Sequence, residues 1–240
     1  MGLIKKINTA IMLGVMIMMS SFAFSAPSYQ TAIPPSATLK YKVIATYNGM
    51  HLSGNSTMQW KTDLKTYSLI NRCSVSFFGN VLNSASSGQV DENGLAPSSY
   101  SEKKLHKAFS ATIYQSKGFF SPSDSKEPVS FSGRVQDHSS VIWQLSSIAN
   151  AHKKSFAVGH TYTLPVIGHQ KTKNWTFQII RSEPISTPAG IFQTLVVSGH
   201  NGKNQTMTIW YAKDRYFYPV QLYFNDKGTF ETQQTLSRIQ

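Results

Sequence analysis

The chain has 240 residues, of which 40% are hydrophobic, 12% aromatic and only 14% charged, a composition that calls for a packed core and excludes a disordered solvating chain. Its 23 Lys and Arg outnumber 11 Asp and Glu, and such a surplus draws a folded domain toward anionic surfaces. The single cysteine cannot close an intramolecular disulfide and excludes a cysteine zinc cage or an iron–sulfur site.

Residues 1–25 carry three zones in order: Lys5 and Lys6, an apolar run from Ile7 to Met19, and small residues around Ala23, Phe24 and Ser25. This is the pattern of a secretory signal, with cleavage expected after Ser25 and Ala23 or Ala26 as near alternatives. The run is shorter than the roughly 20 residues a spanning helix needs. A lipoprotein reading would need a cysteine directly after it, and the cysteine is Cys73. No later stretch is long and apolar enough to span as a helix, so the mature chain is expected in a bacterial periplasm with no transmembrane segment, where nucleic acid is a poor partner.

Residues 26–37 hold three prolines and no periodic pattern, which predicts an extended lead-in, with one β-rich domain over 38–240. Leu39, Tyr41, Val43, Ala45 and Tyr47 then alternate with polar residues, as a half-buried strand requires. Asn48-Gly49 turns the chain into a second strand ending near Trp60. A third carries Tyr67, Leu69, Asn71, Cys73, Val75 and Phe77 on one parity. The pattern continues through Val90, the turn Asp91-Glu92-Asn93-Gly94, and a strand through Phe109 and Tyr114, before a loop over 121–130. After a break it returns at Tyr162–Ile167 and runs to Thr229–Leu236, giving ten to twelve strands joined by short turns. The fold class this predicts is mainly β: an antiparallel meander forming a barrel- or roll-like sheet.

The break, residues 139–152, places Val141, Leu145, Ile148 and Ala149 at helical spacing, with Asp137 or Ser139 available as cap. This predicts one central helix. Trp143 projects nearly opposite the apolar arc, and it either packs under a neighbouring loop or lines a groove between helix and sheet.

The order of these signatures resembles the bacterial domain-of-unknown-function 3108 family of exported proteins. The matching pieces run from Pro34-Pro35-Ser36-Ala37-Thr38-Leu39-Lys40-Tyr41 through Ser87-Gly88 and Gly94-Leu95-Ala96-Pro97 to Gln136-Asp137 with Ser139-Ser140. Trp175 with Phe177, Glu183 before Thr187-Pro188-Ala189-Gly190, and Trp210-Tyr211-Ala212 before Tyr218-Pro219-Val220 complete them. The resemblance implies a β-rich, barrel- or roll-like exported domain and carries over no activity.

No nucleophile elbow, Walker or dinucleotide motif occurs. None of the seven His pairs with another across one helical turn with a Glu between, so no metal site is read from the sequence, and no cofactor is expected. Asp137-His138-Ser139 has the letters of a catalytic triad, but side chains of adjacent residues rarely aim at one another, and Asp137 reads better as a helix cap. No catalytic residue is therefore assigned. Cys73 lies on a buried parity, and Arg181 with Glu183 reads as an ion pair along a strand. Lysines cluster at Lys103, Lys104 and Lys107, and at Lys153 with Lys154 just past the helix, where they complement its dipole. The expectation is a non-enzymatic envelope module binding a lipid-like or other apolar ligand, with Trp143, Lys153 and Lys154 as candidate ligand-binding residues. The alternative is a surface-binding or assembly factor whose basic surface meets anionic lipid or cell-wall polymer, and an enzyme with a non-obvious site stands third.

Overall fold

The computed structural model describes residues 29–47, 49–104, 107–202, 205–226 and 230–240. The expected signal segment, residues 1–25, and the first three residues of the lead-in lie outside the described residues. The strands follow in chain order as β1 (Ala37–Tyr47), β2 (Met50–Thr62), β3 (Thr66–Val75), β4 (Gly79–Asp91), β5 (Gly94–Lys104), β6 (Lys107–Tyr114), β7 (Phe119–Pro122) and β8 (Val129–Ser130). After the helix α1 (Ser140–Ala151) come β9 (Thr161–Ile167), β10 (Thr172–Thr187), β11 (Gly190–His200), β12 (Gln205–Ala212), β13 (Tyr218–Asp226) and β14 (Phe230–Ile239).

All 14 strands form one antiparallel sheet in the order β8-β7-β6-β5-β4-β3-β2-β1-β14-β13-β12-β11-β10-β9. Two meanders therefore meet at the pairing of β1 with β14. The count exceeds the expected ten to twelve because the short β7 and β8 lie in and beside the stretch read as a loop. Hairpins alternate between two ends of the sheet. The upper end holds the β1–β2, β3–β4, β5–β6, β9–β10, β11–β12 and β13–β14 connections, and the lower end holds the β2–β3, β4–β5, β10–β11 and β12–β13 connections.

The sheet curls until distant strands face each other. Lys104 on β5 reaches Asp226 on β13 at 3.6 Å and sits over the rings of Phe224 and Phe230, although five strands separate β5 from β13. Alternation sets what the curl encloses: on β1, Ala37, Leu39, Tyr41, Val43 and Ala45 are buried and face inward. The outer strands β8 and β9 do not pair with each other. Between these flanks the backbone makes a parallel bridge of Gln136 with Val166, Gln136 N–H donating to the Pro165 carbonyl and Ile167 N–H to the Gln136 carbonyl, each at 2.8 Å, and side chains cross beside it, His169 pairing with Asp124 at 2.6 Å. The sheet is therefore curled but not closed by strand pairing along this seam.

The helix fills the lumen. Every residue from Ser140 to Ala149 is buried, so the sequence expectation of one apolar arc and one polar face gives way to a helix covered on all sides. Its polar residues are small or bonded: Ser146 Oγ donates to the Phe217 carbonyl at 2.7 Å, and Ser147 Oγ donates back to the Trp143 carbonyl at 2.8 Å. Residues 29–36 are docked below it, with Ala32 N–H donating to the Ser147 carbonyl and Trp60 Nε1 to the Pro34 carbonyl, both at 3.0 Å.

A second departure concerns Phe77. Parity along β3 placed it with Val75 in the core, but the strand stops at Val75, and Phe77 turns into the left-handed region at φ 68°, wholly exposed.

Candidate functional site

Two polar places stand out inside this apolar frame. The first lies at the head of α1. Asp137 has no exposed surface, and its carboxylate accepts from Ser86 Oγ at 2.6 Å and from the Ser139 and Ser140 amides at 2.9 and 2.8 Å. Burial raises its pKa to about 6 against the pull of those donors. Ser139 Oγ is engaged with Ser84 Oγ and Asn71 Nδ2. His138 packs edge-on to Tyr100 and Trp175, and burial holds its pKa below the usual value. Asp137 thus caps the helix through backbone amides, the role its position in sequence suggested, and its partners are not those of a hydrolase relay. Cys73 is buried and its thiol is pushed up to about 11, so it stays protonated at neutral pH. Among the described residues, no three His, Cys, Asp or Glu lie close enough to hold a metal ion.

The second place is the seam. Where the flanks fail to pair, a cleft of about 920 Å³ opens toward the lower end. Its walls come from the ends of β4, β5 and β6, from residues 133–136 and from Leu164 and Pro165 of β9, with Gln144 of α1 contributing to its lining. Three glutamines build its framework. Gln144 Oε1 accepts from Leu95 N–H at 2.8 Å while its Nε2 donates to the Asn93 carbonyl at 2.9 Å. Gln115 Nε2 donates to the Val135 carbonyl at 2.9 Å. Gln136 Nε2 donates to the Leu95 carbonyl at 2.8 Å, but its Oε1 is buried with no partner. An unmet buried acceptor is costly, and a donor supplied from the cleft would satisfy it. Arg134, ion-paired with Asp91, stands at the mouth beside Tyr114, whose ring carries Lys117 5.4 Å from its centre. The apolar part of the lining comes from Ile113, Leu164, Pro97 and Pro165.

None of the three candidate ligand-binding residues, Trp143, Lys153 and Lys154, lines this cleft, although Ala96, Pro97 and Gln136 from the family-like pieces do. Trp143 is 0% exposed, stacked on Trp60 at 4.5 Å with 11° between the rings, and its Nε1 points to Met58 Sδ at 3.3 Å. Lys153 and Lys154 are exposed beyond the C-terminus of α1 at the lower end, whereas Lys103, Lys104 and Lys107 occupy the upper end. The two basic clusters do not converge. The cleft's amides were missed because glutamine carries no motif. Their only sequence signal was Gln136 beside Asp137 just before the helix.

A curled antiparallel sheet, plugged by one helix and slit along one side, defines a β-barrel-like domain. The chain belongs to the family described as protein of unknown function DUF3108, whose model matches residues 40–233. No curated protein sequence matches it. Among solved structures it is similar to a β-barrel-like protein of domain of unknown function DUF1849 from Brucella abortus. That likeness has 11% identity and a TM-score of 0.56, over 87% of this chain and 98% of that one. It is also similar to a candidate exported protein with a YmcC-like fold from Bacteroides fragilis, at 12% identity and a TM-score of 0.32, over 89% and 100% of the two chains. A candidate lipoprotein from Parabacteroides distasonis matches at 10% identity and a TM-score of 0.32, over 89% and 100%. The first likeness shows a shared fold, and the other two carry no structural argument. No helix among the described residues is long and apolar enough to cross a membrane.

Proposed function

We propose that this protein is an exported, non-enzymatic envelope module that holds a lipid-like ligand in the seam cleft. The single observation that carries the reading is the cleft itself, where the buried, unpartnered Oε1 of Gln136 lies among mixed polar and apolar walls. An amphiphile fits such a lining: a hydroxyl or amide donates to Gln136, and an apolar portion lies against Ile113, Leu164 and Pro165. An acyl chain in the lumen would have to displace α1 and the Trp60–Trp143 stack, so the seam is the better seat. The export half of the reading rests on the zoned segment over residues 1–25.

The test is native mass spectrometry of protein purified gently from the envelope fraction, with solvent extraction of whatever is bound. The expected result is a chain beginning at Ala26 with a stoichiometric lipid-like adduct. Gln136→Leu and Tyr114→Ala lose that adduct, and Trp143→Phe keeps it. A wild-type chain of clean apo mass would overturn the ligand reading, and loss of the adduct in Trp143→Phe alone would move the ligand back to the lumen.

A further inference from the structure

At the upper end, three successive hairpins present side chains that folding stability alone does not call for. On the β1–β2 hairpin, Met50 is 48% exposed beside the partly buried Tyr47. On the β3–β4 hairpin, Phe78 is 47% exposed and Phe77 is 100% exposed. Tyr47 and Phe78 meet edge to face at 6.4 Å, which joins the two tips into one apolar patch. The next hairpin, β5–β6, carries the exposed Lys103 and Lys107, which strand spacing places about 10–15 Å from the Phe77 hairpin.

The backbone at Phe77 sharpens the point. Its φ of 68° belongs to the region that favours glycine and asparagine, and a bulky aromatic there is strained. Tight hairpin turns normally place Gly, Asn or Asp at such positions. A wholly exposed phenylalanine in a strained turn lowers stability and gains nothing from the core, so its use lies outside the folded chain.

Charge at this end favours an anionic partner. Four upper acids are engaged, Asp226 with Lys104, Asp124 with His169 at 2.6 Å, Glu102 with the Tyr100 hydroxyl at 2.9 Å and Glu231 with Asn225 Nδ2 at 3.0 Å, while Glu127 is exposed on the β7–β8 connection beside the exposed Lys126. Lys103 and Lys107 remain exposed on the hairpin next to the patch. Lower hairpins carry the acids Asp63, Asp91, Glu92 and Asp214 interspersed with the exposed Lys61, Lys65, Lys213 and Arg215 and expose no comparable pair of phenylalanines. Aromatic and aliphatic tips flanked by lysines are the chemistry of an interfacial anchor: rings enter the headgroup region and ammonium groups meet phosphates.

We infer that the upper rim is a membrane-docking surface, with Phe77, Phe78 and Met50 entering a bilayer rich in anionic headgroups and Lys103 and Lys107 pairing with those headgroups. The surface lies at the end opposite the seam cleft, so it stands independently of the ligand reading.

The test is co-sedimentation of the processed chain with phosphatidylcholine vesicles, with and without phosphatidylglycerol. Binding is expected to the phosphatidylglycerol vesicles and to fall as salt is raised. The fluorescence of Phe77→Trp shifts to the blue on those vesicles. Phe77→Ser with Phe78→Ser, and separately Lys103→Glu with Lys107→Glu, each lower the bound fraction about tenfold. Every variant carries the same N-terminus, so the comparison isolates the tip. Phe77→Gly raises the melting temperature while weakening vesicle binding, which a purely structural role for Phe77 would not produce. An unshifted Phe77→Trp spectrum on phosphatidylglycerol vesicles, or undiminished binding in the Phe77→Ser and Phe78→Ser variant, would overturn the proposal. So would concentration-dependent self-association that this variant abolishes in the absence of vesicle binding, since the patch would then belong to a second copy. Equal binding to a soluble polyanion that ignores the phenylalanines would overturn it too.

Discussion

Asp137 is a carboxylate with no exposed surface, held by one hydroxyl and two amides and facing no paired cation. Its pKa in the folded state, about 6, lies above the ordinary 3.8, so between those values the folded chain binds a proton that the unfolded chain releases. The stability linked to that proton is fully present below about pH 4 and is lost as pH rises through about 6, an effect of up to about 3 kcal/mol. His138 works in the opposite sense, since burial disfavours its charged form and removes stability as pH falls through its ordinary value of 6.5. Comparison with Asp137→Asn separates the two. Denaturant unfolding from about pH 4 to pH 7 should show the wild type losing stability relative to Asp137→Asn as pH rises. At Phe77 the strain predicts a gain: Phe77→Gly stabilises by about 1 kcal/mol, read as a higher denaturation midpoint with an unchanged slope. Sequence showed Asp137 as a cap because capping is local. It placed Phe77 on the wrong side because parity says nothing about where a strand stops.

At the scale of single elements, α1 matched its expected span almost to the residue, since spacing and cap are local signals. What surrounds it was not legible. Trp143, opposite the apolar arc, read as packing under a loop or lining a groove, whereas Trp60 and Tyr218 arrive from strands far away in sequence to cover it. Trp143→Ala should therefore destabilise the domain by about 3–5 kcal/mol, measured by denaturant unfolding, with Trp143→Phe closer to wild type. On β11, an ideal Cβ at Gly199 would lie 2.4 Å from the Phe177 ring. Gly199→Ala should cost about 1–3 kcal/mol by overpacking, a loss that Phe177→Leu in the same chain should partly relieve. The Arg181–Glu183 pair, bidentate at 2.9 Å on the outer face, was legible from two-residue spacing, and its exposure keeps its contribution small.

For the whole molecule, alternation along each strand revealed the meander but left open how it curls. Barrel, roll and sandwich share that alternation, and the choice among them rests on contacts between residues more than a hundred positions apart. Tyr41 donating to the Pro219 carbonyl at 2.7 Å and Tyr218 to the Pro35 carbonyl at 3.0 Å are such contacts. The cleft is likewise a property of the closed form: Gln115, Gln136 and Gln144 acquire a common purpose only when the two flanks stop short of pairing.

The pairing of β1 with β14 has a consequence for assembly. β14, the last strand in chain order, lies near the middle of the sheet, hydrogen-bonded to the first on one side and to β13 on the other. A chain made N-terminus first can zip β1 to β8 as it emerges, but it carries two bare hydrogen-bonding edges until the ten residues of β14 arrive. Completion is a single late docking event, and during the wait the partial sheet is a template for neighbouring chains. A chain ending before Phe230 should therefore form strand-paired aggregates in refolding, detectable by light scattering, and a separately added β14 peptide should suppress them.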